Sequence, residues 1–160
     1  MYKTQPTITG GCQCGAVRYA LFETPESTVC HCRMCQKAVG GPFAALSKLK
    51  VANLTWTRGQ PASFQSSSAA ERHFCAACGT PLTFEWGKAP PELSIGAFDD
   101  PGRIRPVIQM DMAARMPWFA ELASLPERPD AEAPWLAEVV SYQHPDHDTD
   151  TWPPTDGAAG

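Results

Sequence analysis

The sequence predicts an all-β protein that is built mainly from short antiparallel strands. Apolar and polar residues alternate with strand periodicity at residues 16–21, 44–47, 81–86, 93–98 and 106–110. Proline accounts for 16 of the 160 residues, and 12 glycines add further breaks between these segments. Because proline costs about 3 kcal/mol inside a helix, long helices are excluded from most of the chain.

The length of the chain indicates one domain followed by a terminal appendage. We expect the domain to cover residues 1–125 and a C-terminal extension to cover residues 126–160. Two stretches, 118–125 and 134–142, have the apolar spacing of a helix and predict one or two short C-terminal helices. Residues 143–160 are rich in Pro, Asp and Thr, which predicts a disordered or loosely draped tail.

The charge and the hydropathy of the chain argue against two classes of partner, nucleic acids and membranes. Its net charge is −4 at pH 7, its pI is about 5.5, and its 13 basic residues form no run. A nucleic-acid partner is therefore not expected, because phosphate contacts need clustered Lys and Arg. No segment approaches the roughly 20 apolar residues of a membrane span, so no membrane partner is expected. The first fifteen residues carry no secretory signal, and we expect a cytoplasmic protein with reduced thiols.

The cysteines are the most informative residues of the sequence, because all of them stand in three tight clusters. The clusters are Cys12-x-Cys14, Cys30-x-Cys32-x-x-Cys35 and Cys75-x-x-Cys78. Four sulfurs complete a tetrahedron around zinc, whereas three leave one position open. Seven thiols therefore divide into one closed structural site and one open site. A disulfide framework fits an odd count poorly, and the spacing differs from that of ferredoxin iron–sulfur runs.

The closed site is predicted from the first and the last cluster. Cys12 and Cys14 point to the same face of a strand, so they present two sulfurs side by side. Cys75 and Cys78 stand in a turn that ends at Gly79, which supplies a permissive backbone. A zinc ion held by both clusters would tie the N-terminal strand to the middle of the chain, as structural zinc does in domains with a small core.

The middle cluster is predicted to form the open site. If the segment is extended, Cys30 and Cys32 share a face and Cys35 folds back to complete a cup of three sulfurs. An open fourth position is the arrangement of catalytic zinc, so these cysteines are also the candidate catalytic residues. The segment that follows supplies candidate contacts to a bound ligand, which are Gly40, Gly41 and Phe43.

Other polar residues near the clusters are weaker candidates. His31 is the rival fourth ligand of the open site, but in an extended segment its side chain points away from the two flanking sulfurs. His73 shares a face with Cys75 and is expected to lie outside the ligand set. Arg18 and Arg72 are candidate donors to the negatively charged closed site.

Three motifs resemble those of the glutathione-dependent formaldehyde-activating enzyme / centromere protein V family. The first is GGCQCGAVRY at residues 10–19, and the second is CHCRMCQK at residues 30–37 followed by GGPF at 40–43. The third is RHFCAACGTPL at residues 72–82. The three motifs occur in the family's order, and the resemblance covers residues 9–125.

The resemblance implies a tent-like, zinc-containing β fold and carbon–sulfur lyase activity, with glutathione and formaldehyde as the namesake substrates. It implies a structural zinc ion on Cys12, Cys14, Cys75 and Cys78. It implies a second, catalytic or exchangeable zinc ion on Cys30, Cys32 and Cys35. The fold does not fix the substrate, because related sites on one fold serve different reactions.

Two hypotheses for the function follow. In the first, the open zinc site acts as a Lewis acid on the adduct of a small-molecule thiol and an aldehyde. In the second, the protein is a non-catalytic zinc module that binds a partner protein or senses metal or thiol oxidation. Trp135 and Trp152 would then contact the partner; alternatively they pack back on the domain, or on a second subunit in a homodimer.

Overall fold

The computed structural model describes residues 8–23, 25–49, 53–128 and 134–152. In this part of the chain ten strands form two sheets, and the prediction of an all-β protein is confirmed. The strands are β1 (Ile8–Gly11), β2 (Arg18–Leu21), β3 (Glu26–Cys30), β4 (Ala44–Lys48), β5 (Thr55–Arg58), β6 (Ala62–Gln65), β7 (Ala70–Phe74), β8 (Pro81–Trp86), β9 (Glu92–Ser94) and β10 (Ile108–Met110). One α-helix, α1 (Arg33–Val39), follows β3. Short 3-10 helices cover Ile95–Ala97, Pro101–Arg103, Met112–Ala114, Phe119–Ser124 and Pro134–Glu138.

The two sheets differ in size and in pairing. The smaller sheet is antiparallel and has the strand order β1-β2-β5. The larger sheet has the order β10-β3-β4-β9-β8-β7-β6, and its pairs are antiparallel except for β10 with β3. That single parallel pair was not expected from the sequence. It places the carboxyl ends of β3 and β10 at the same edge of the sheet.

The core lies where the smaller sheet packs on the segment that follows β9. All four residues of β2 are buried, because β2 lies between β1 and β5. Tyr19 is fully buried, and its ring contacts Trp56 and Phe98 edge-on at centroid distances of 6.0 and 5.8 Å. Leu82 and Leu93 join the same cluster. Such T-shaped aromatic pairs add to the stabilisation that comes from the buried area.

Local periodicity located several elements correctly. The segment 81–86 is β8, the segment 16–21 contains β2, and the segment 44–47 lies within β4. The segment 93–98 is a strand only to Ser94 and then turns into a 3-10 helix. Both predicted C-terminal helices are present, but as 3-10 turns.

The segment after Cys32 is helical, and this helical turn is what folds Cys35 back toward Cys30 and Cys32. The Cys32 sulfur caps the first turn of α1 by accepting a hydrogen bond from the Cys35 backbone N–H at 3.3 Å. Gly40 ends the helix in the left-handed region, at φ 65°. A glycine at this position is the usual end of a helix, because it lacks the Cβ that disfavours this conformation.

The predicted tail is ordered over residues 143–152, which we call the C-terminal strap. The His144 backbone N–H donates to the Gln13 carbonyl at 2.7 Å, and His144 is buried. Arg58 donates to the backbone and side-chain oxygens of Thr149. Of the two predicted alternatives, a disordered or a loosely draped tail, the strap therefore fits the second, because it has no helix or strand and its polar side chains find partners on the domain. Residues 153–160 of the predicted tail lie outside the described residues.

The side chain of Trp135 also lies outside the described part of the chain. Trp152 is described, and its ring packs against the ring of His144 at a centroid distance of 4.9 Å. Among the described residues, no helix has both the length and the apolar character needed to cross a membrane.

Candidate metal centres

The first and the last cysteine clusters meet at the ends of two strands, one from each sheet. Cys12 and Cys14 follow β1, and Cys75 and Cys78 follow β7. Their four sulfur atoms lie within 4.8 Å of one another. The sulfur of Cys14 is 3.6 Å from that of Cys12 and 3.8 Å from that of Cys75. Tetrahedral zinc with Zn–S bonds of about 2.3 Å requires sulfurs about 3.8 Å apart, so these four residues fit a zinc ion.

The backbone around this cluster is shaped to hold the sulfurs. The Val17 N–H donates to the Cys12 sulfur at 3.2 Å. The Gly79 N–H donates to the Cys75 carbonyl at 2.8 Å, which closes the turn, and Gly79 adopts a positive φ of 78°. Cys12 and Cys75 are almost fully buried, at 3% and 1% exposure. Cys14 and Cys78 are half-buried, so the site lies at the edge of the core, where a structural ion would join two segments of the chain.

The thiols of the four-cysteine cluster differ in acidity. Burial raises the pKa of the Cys12 thiol to about 12. Burial also acts to raise the pKa of Cys78, but hydrogen bonds from the Thr80 hydroxyl and the Thr80 backbone outweigh it and lower that pKa to about 6. A metal ion must displace the proton of the buried thiol, so its affinity for the cluster falls as the pH falls.

The middle cluster forms a second centre at the larger sheet. Cys30 is the last residue of β3, Cys32 caps α1, and Cys35 lies in the first turn of that helix. Their sulfurs lie within 4.8 Å of one another. The helical turn, rather than an extended chain, brings Cys35 back to the other two. Three thiols around one point fit a zinc ion with an open fourth position.

Two charged side chains flank this three-cysteine cluster. The Arg72 guanidinium donates to the Cys35 sulfur at 3.3 Å. The Cys30 sulfur donates to the Asp111 carboxylate, Oδ2, at 3.2 Å. Arg72 was predicted beside the other cluster, but β7 directs it to this one. Arg18, the second predicted donor, instead pairs with Asp99 at 2.6 Å.

Asp111 was missed by the sequence reasoning because its position depends on the parallel pairing of two strands. Met110, the last residue of β10, pairs with Cys30 in the ladder, and Asp111 follows it directly. Among the described residues, Asp111 is the only non-glycine residue with a positive φ, at 56°. The one available signal was an acidic residue placed directly after the predicted strand 106–110.

The three thiols of this centre also differ in acidity. Burial raises the pKa of the Cys30 thiol, and the hydrogen bond that the thiol donates to the Asp111 carboxylate raises that pKa further. Burial raises the pKa of Cys35 as well, although the Arg72 guanidinium opposes the effect. At Cys32, burial is outweighed by the backbone N–H of Cys35 and the neighbouring thiols, so its pKa lies below the ordinary value.

The two histidines near the clusters have other partners. His31 is fully buried, and its Nε2 lies 3.0 Å from the Gln109 side-chain oxygen. Its ring meets the Phe119 ring edge-on, at 4.8 Å between centroids. The Nδ1 of His73 lies 2.9 Å from the Thr83 hydroxyl. Within the described residues, neither histidine belongs to a group of side chains that could hold a metal ion.

A cavity of about 400 Å³ opens on the three-cysteine cluster, with Asp111 and Arg72 in its lining. The candidate ligand contacts predicted from the sequence lie elsewhere in the described structure. Gly40 and Gly41 follow the end of α1, and Phe43 packs its ring on those of His31 and Phe119. Their contact with a ligand stays a prediction.

The protein thus has a mainly antiparallel β fold with one four-cysteine and one three-cysteine cluster, each of which could bind a metal ion. The chain belongs to the glutathione-dependent formaldehyde-activating enzyme family, whose model matches residues 7–113. The match includes both cysteine clusters and Asp111, and it ends before the C-terminal strap.

One relative supports this assignment, and one solved structure shares the fold. Over 88 residues the chain is 36% identical to a protein of Schizosaccharomyces pombe named an uncharacterized lyase. That match covers 53% of this chain and 64% of the yeast protein, so the chain spans less than two thirds of its relative. A crystal structure of a Rhodobacter sphaeroides protein matches with a TM-score of 0.50 and 21% identity. The match covers 64% of this chain and 99% of that chain, and it shows a shared fold.

Proposed function

We propose that this protein is a zinc-dependent lyase of the carbon–sulfur type that acts on the adduct of a thiol and an aldehyde. The observation that carries the proposal is the three-cysteine cluster, which has room for a fourth ligand and lies beside both a carboxylate and a cavity. Membership of the family and the name of the yeast relative support the lyase class. The glutathione–formaldehyde adduct is the family's namesake substrate.

Cys30, Cys32 and Cys35 would hold the catalytic zinc ion. When bound, the ion supplies a Lewis acid that stabilises a thiolate or an alkoxide at its open position. The Arg72 guanidinium donates to the Cys35 sulfur and also lies over the Phe84 ring, 4.6 Å from its centroid. This fixed cation offsets part of the negative charge of three thiolates, so the cluster can accept a further anionic ligand.

Asp111 is placed to move a proton during cleavage. Its carboxylate would accept the proton of the adduct hydroxyl while the carbon–oxygen bond becomes a carbonyl. The carbon–sulfur bond breaks in the same step, its electron pair leaves on sulfur, and the sulfur then takes the proton from Asp111. Addition of the thiol to the aldehyde is the reverse sequence, and neither direction needs an oxidant.

The backbone of Asp111 supports this role. A non-glycine residue with a positive φ costs conformational energy, and such residues concentrate at functional sites. The conformation turns the carboxylate back toward Cys30 immediately after β10 ends. A carboxylate within hydrogen-bond reach of the reacting group is the geometric requirement for general acid–base catalysis.

The test compares Asp111→Asn with Asp100→Asn in zinc-loaded protein. Exchange between free and adduct-bound formaldehyde is followed by NMR in the presence of glutathione. We expect Asp111→Asn to slow the exchange by about 100-fold or more, since general acid–base catalysis contributes 10²–10⁴-fold. Asp100 is an exposed acid that pairs with Arg103, so its variant controls for the loss of a surface charge.

Two results would contradict the proposal. One is a wild-type protein that carries both zinc ions and does not accelerate exchange of any thiol–aldehyde adduct in a panel. The other is an Asp111→Asn variant with an unchanged rate and unchanged zinc content, which would remove the proton-transfer role.

The alternative of a non-catalytic zinc module has less support. Of the two tryptophans offered as partner contacts, Trp152 packs its ring on His144 within the strap, and the side chain of Trp135 lies outside the described residues. Asp111 also supplies a candidate acid–base residue beside the three cysteines, which a non-catalytic module does not need.

A further inference from the structure

A groove of mainly apolar side chains leads away from the three cysteines. The cavity of about 400 Å³ beside them adjoins a second cavity of about 500 Å³. The two cavities share four lining residues, so they form one continuous groove. The shared residues are Met34, Leu46, Arg72 and Phe84.

One face of the larger sheet forms the floor of the groove. Arg72, Phe84, Glu92 and Lys48 stand directly opposite one another in the ladders of β7, β8, β9 and β4. Residues opposite one another across a ladder point to the same face. Trp86 follows Phe84 by two positions along β8, and its side chain therefore lies on that face as well. The groove is thus built on rigid strands.

The part of the groove next to the cysteines presents large apolar side chains to solvent. Trp86 is 57% exposed, and Met34 and Met110 are 46% and 48% exposed. The Trp86 ring lies 6.4 Å from the Phe84 ring, so the two provide a broad aromatic surface. Exposed apolar surface of this kind beside a polar centre marks a binding site.

Three charged residues of the groove floor, Arg72, Glu92 and Lys48, stand in the same row of the sheet as Phe84. Lys48 and Glu92 are paired in the ladder between β4 and β9. Arg72 is held by the Cys35 sulfur and by the Phe84 ring. The Arg72 guanidinium lies over the Phe84 ring, so the exposed Trp86 ring is the main aromatic surface that the organic part of a ligand would meet.

Resting on the proposed function, we infer that the site takes an adduct with an aromatic or similarly bulky apolar group one or two bonds from its carbon–sulfur bond. The sulfur would lie at the three cysteines, and the apolar group would lie on Phe84 and Trp86. Met34 and Met110 would line its sides, since methionine adapts to irregular shapes and makes favourable contacts with aromatic rings.

The test measures binding of two thiols to the zinc-loaded protein by calorimetry, with benzyl mercaptan and 2-mercaptoethanol as the probes. We expect benzyl mercaptan to bind at least tenfold more tightly. Trp86→Ala should remove most of that preference and leave the affinity for 2-mercaptoethanol unchanged. Trp118→Ala is the matched control, because Trp118 is similarly exposed and does not line the groove.

The outcomes separate this inference from the proposed function. If both thiols bind with equal affinity, or if Trp86→Ala leaves the preference intact, the apolar groove does not select the substrate, and the lyase proposal stands without it. If neither thiol binds to protein that carries both zinc ions, the open site does not take thiols, and both proposals fall.

Discussion

Removing one sulfur from each cluster should have very different effects on stability. Cys78→Ser disrupts a cluster that joins two distant parts of the chain, because the sulfurs of Cys14 and Cys75 are 3.8 Å apart across 61 positions of sequence. Cys35→Ser disrupts a cluster whose members lie within one segment of β3 and α1. A metal ion therefore constrains the unfolded chain far more in the first case.

The size of the difference follows from the entropy of loop closure. A cross-link that closes a loop of about 61 residues contributes about 4 kcal/mol, and one that closes about five residues contributes about 2 kcal/mol. The total stability of a domain is about 5–15 kcal/mol. We expect Cys78→Ser to lower the free energy of unfolding of the zinc-loaded protein by about 4 kcal/mol or more. Cys35→Ser should lower it by no more than about 2 kcal/mol.

Urea denaturation followed by circular dichroism measures these losses, and a chromophoric chelator measures the zinc content. The Cys35→Ser variant should stay folded and keep one zinc ion. Ala76→Ser is a control in the same turn as Cys78, where an exposed substitution should change stability by less than about 0.5 kcal/mol. Equal losses in the two cysteine variants would refute the division of seven thiols into a structural and an open site.

Three further perturbations test the core and the contacts of the strap. Asp99→Asn should cost about 3 kcal/mol at pH 7, because the buried Arg18 loses its bidentate partner. Burial acts to raise the pKa of Asp99, but the Arg18 guanidinium outweighs it and holds that pKa below its usual range. The difference in free energy of unfolding between the wild type and Asp99→Asn is thus complete above pH ~4 and is lost as the pH falls through the lowered pKa. Urea denaturation at a series of pH values measures this difference, and its absence at pH 6 would contradict the reasoning. Gly15→Ala should cost about 1–3 kcal/mol and make the strap sensitive to protease, because φ is 74° and the added methyl meets the His144 and Trp152 rings; a strap that stays resistant would argue against this packing. Leu82→Ala should lower the free energy of unfolding, measured by thermal denaturation, by about 2–5 kcal/mol, because Leu82 is fully buried. A loss below about 1 kcal/mol would contradict this and would mean that neighbouring side chains fill the cavity.

The grouping of the cysteines was predictable from sequence because it depends on local chemistry. A one- or two-residue gap places two sulfurs within reach of one ion whatever the rest of the fold does. The structure brings Cys12 and Cys14 to Cys75 and Cys78, as the prediction required. Strands such as β8 were also predictable, because apolar and polar residues alternate along its sequence.

Contacts between distant segments were not predictable from the same patterns. The parallel pairing of β10 with β3, which brings Asp111 to Cys30, depends on the path of the chain between them. Likewise, nothing in the composition of residues 143–152 indicated that Arg18 and Arg58 would bind the strap. A homodimer and a cytoplasmic location remain predictions.

The dependence of Asp111 on an edge strand has a consequence for how this site can change in evolution. Its carboxylate reaches Cys30 only while Met110 stays opposite Cys30 in the ladder. A deletion or insertion of one residue in β10 would turn every side chain of that strand to the opposite face and carry the carboxylate away. All seven cysteines would be untouched. Sequences that keep all seven cysteines but differ in length just before this position would therefore lack the carboxylate beside Cys30, and if the proposed role of Asp111 holds, one such change would leave a metal-binding protein without its acid–base group.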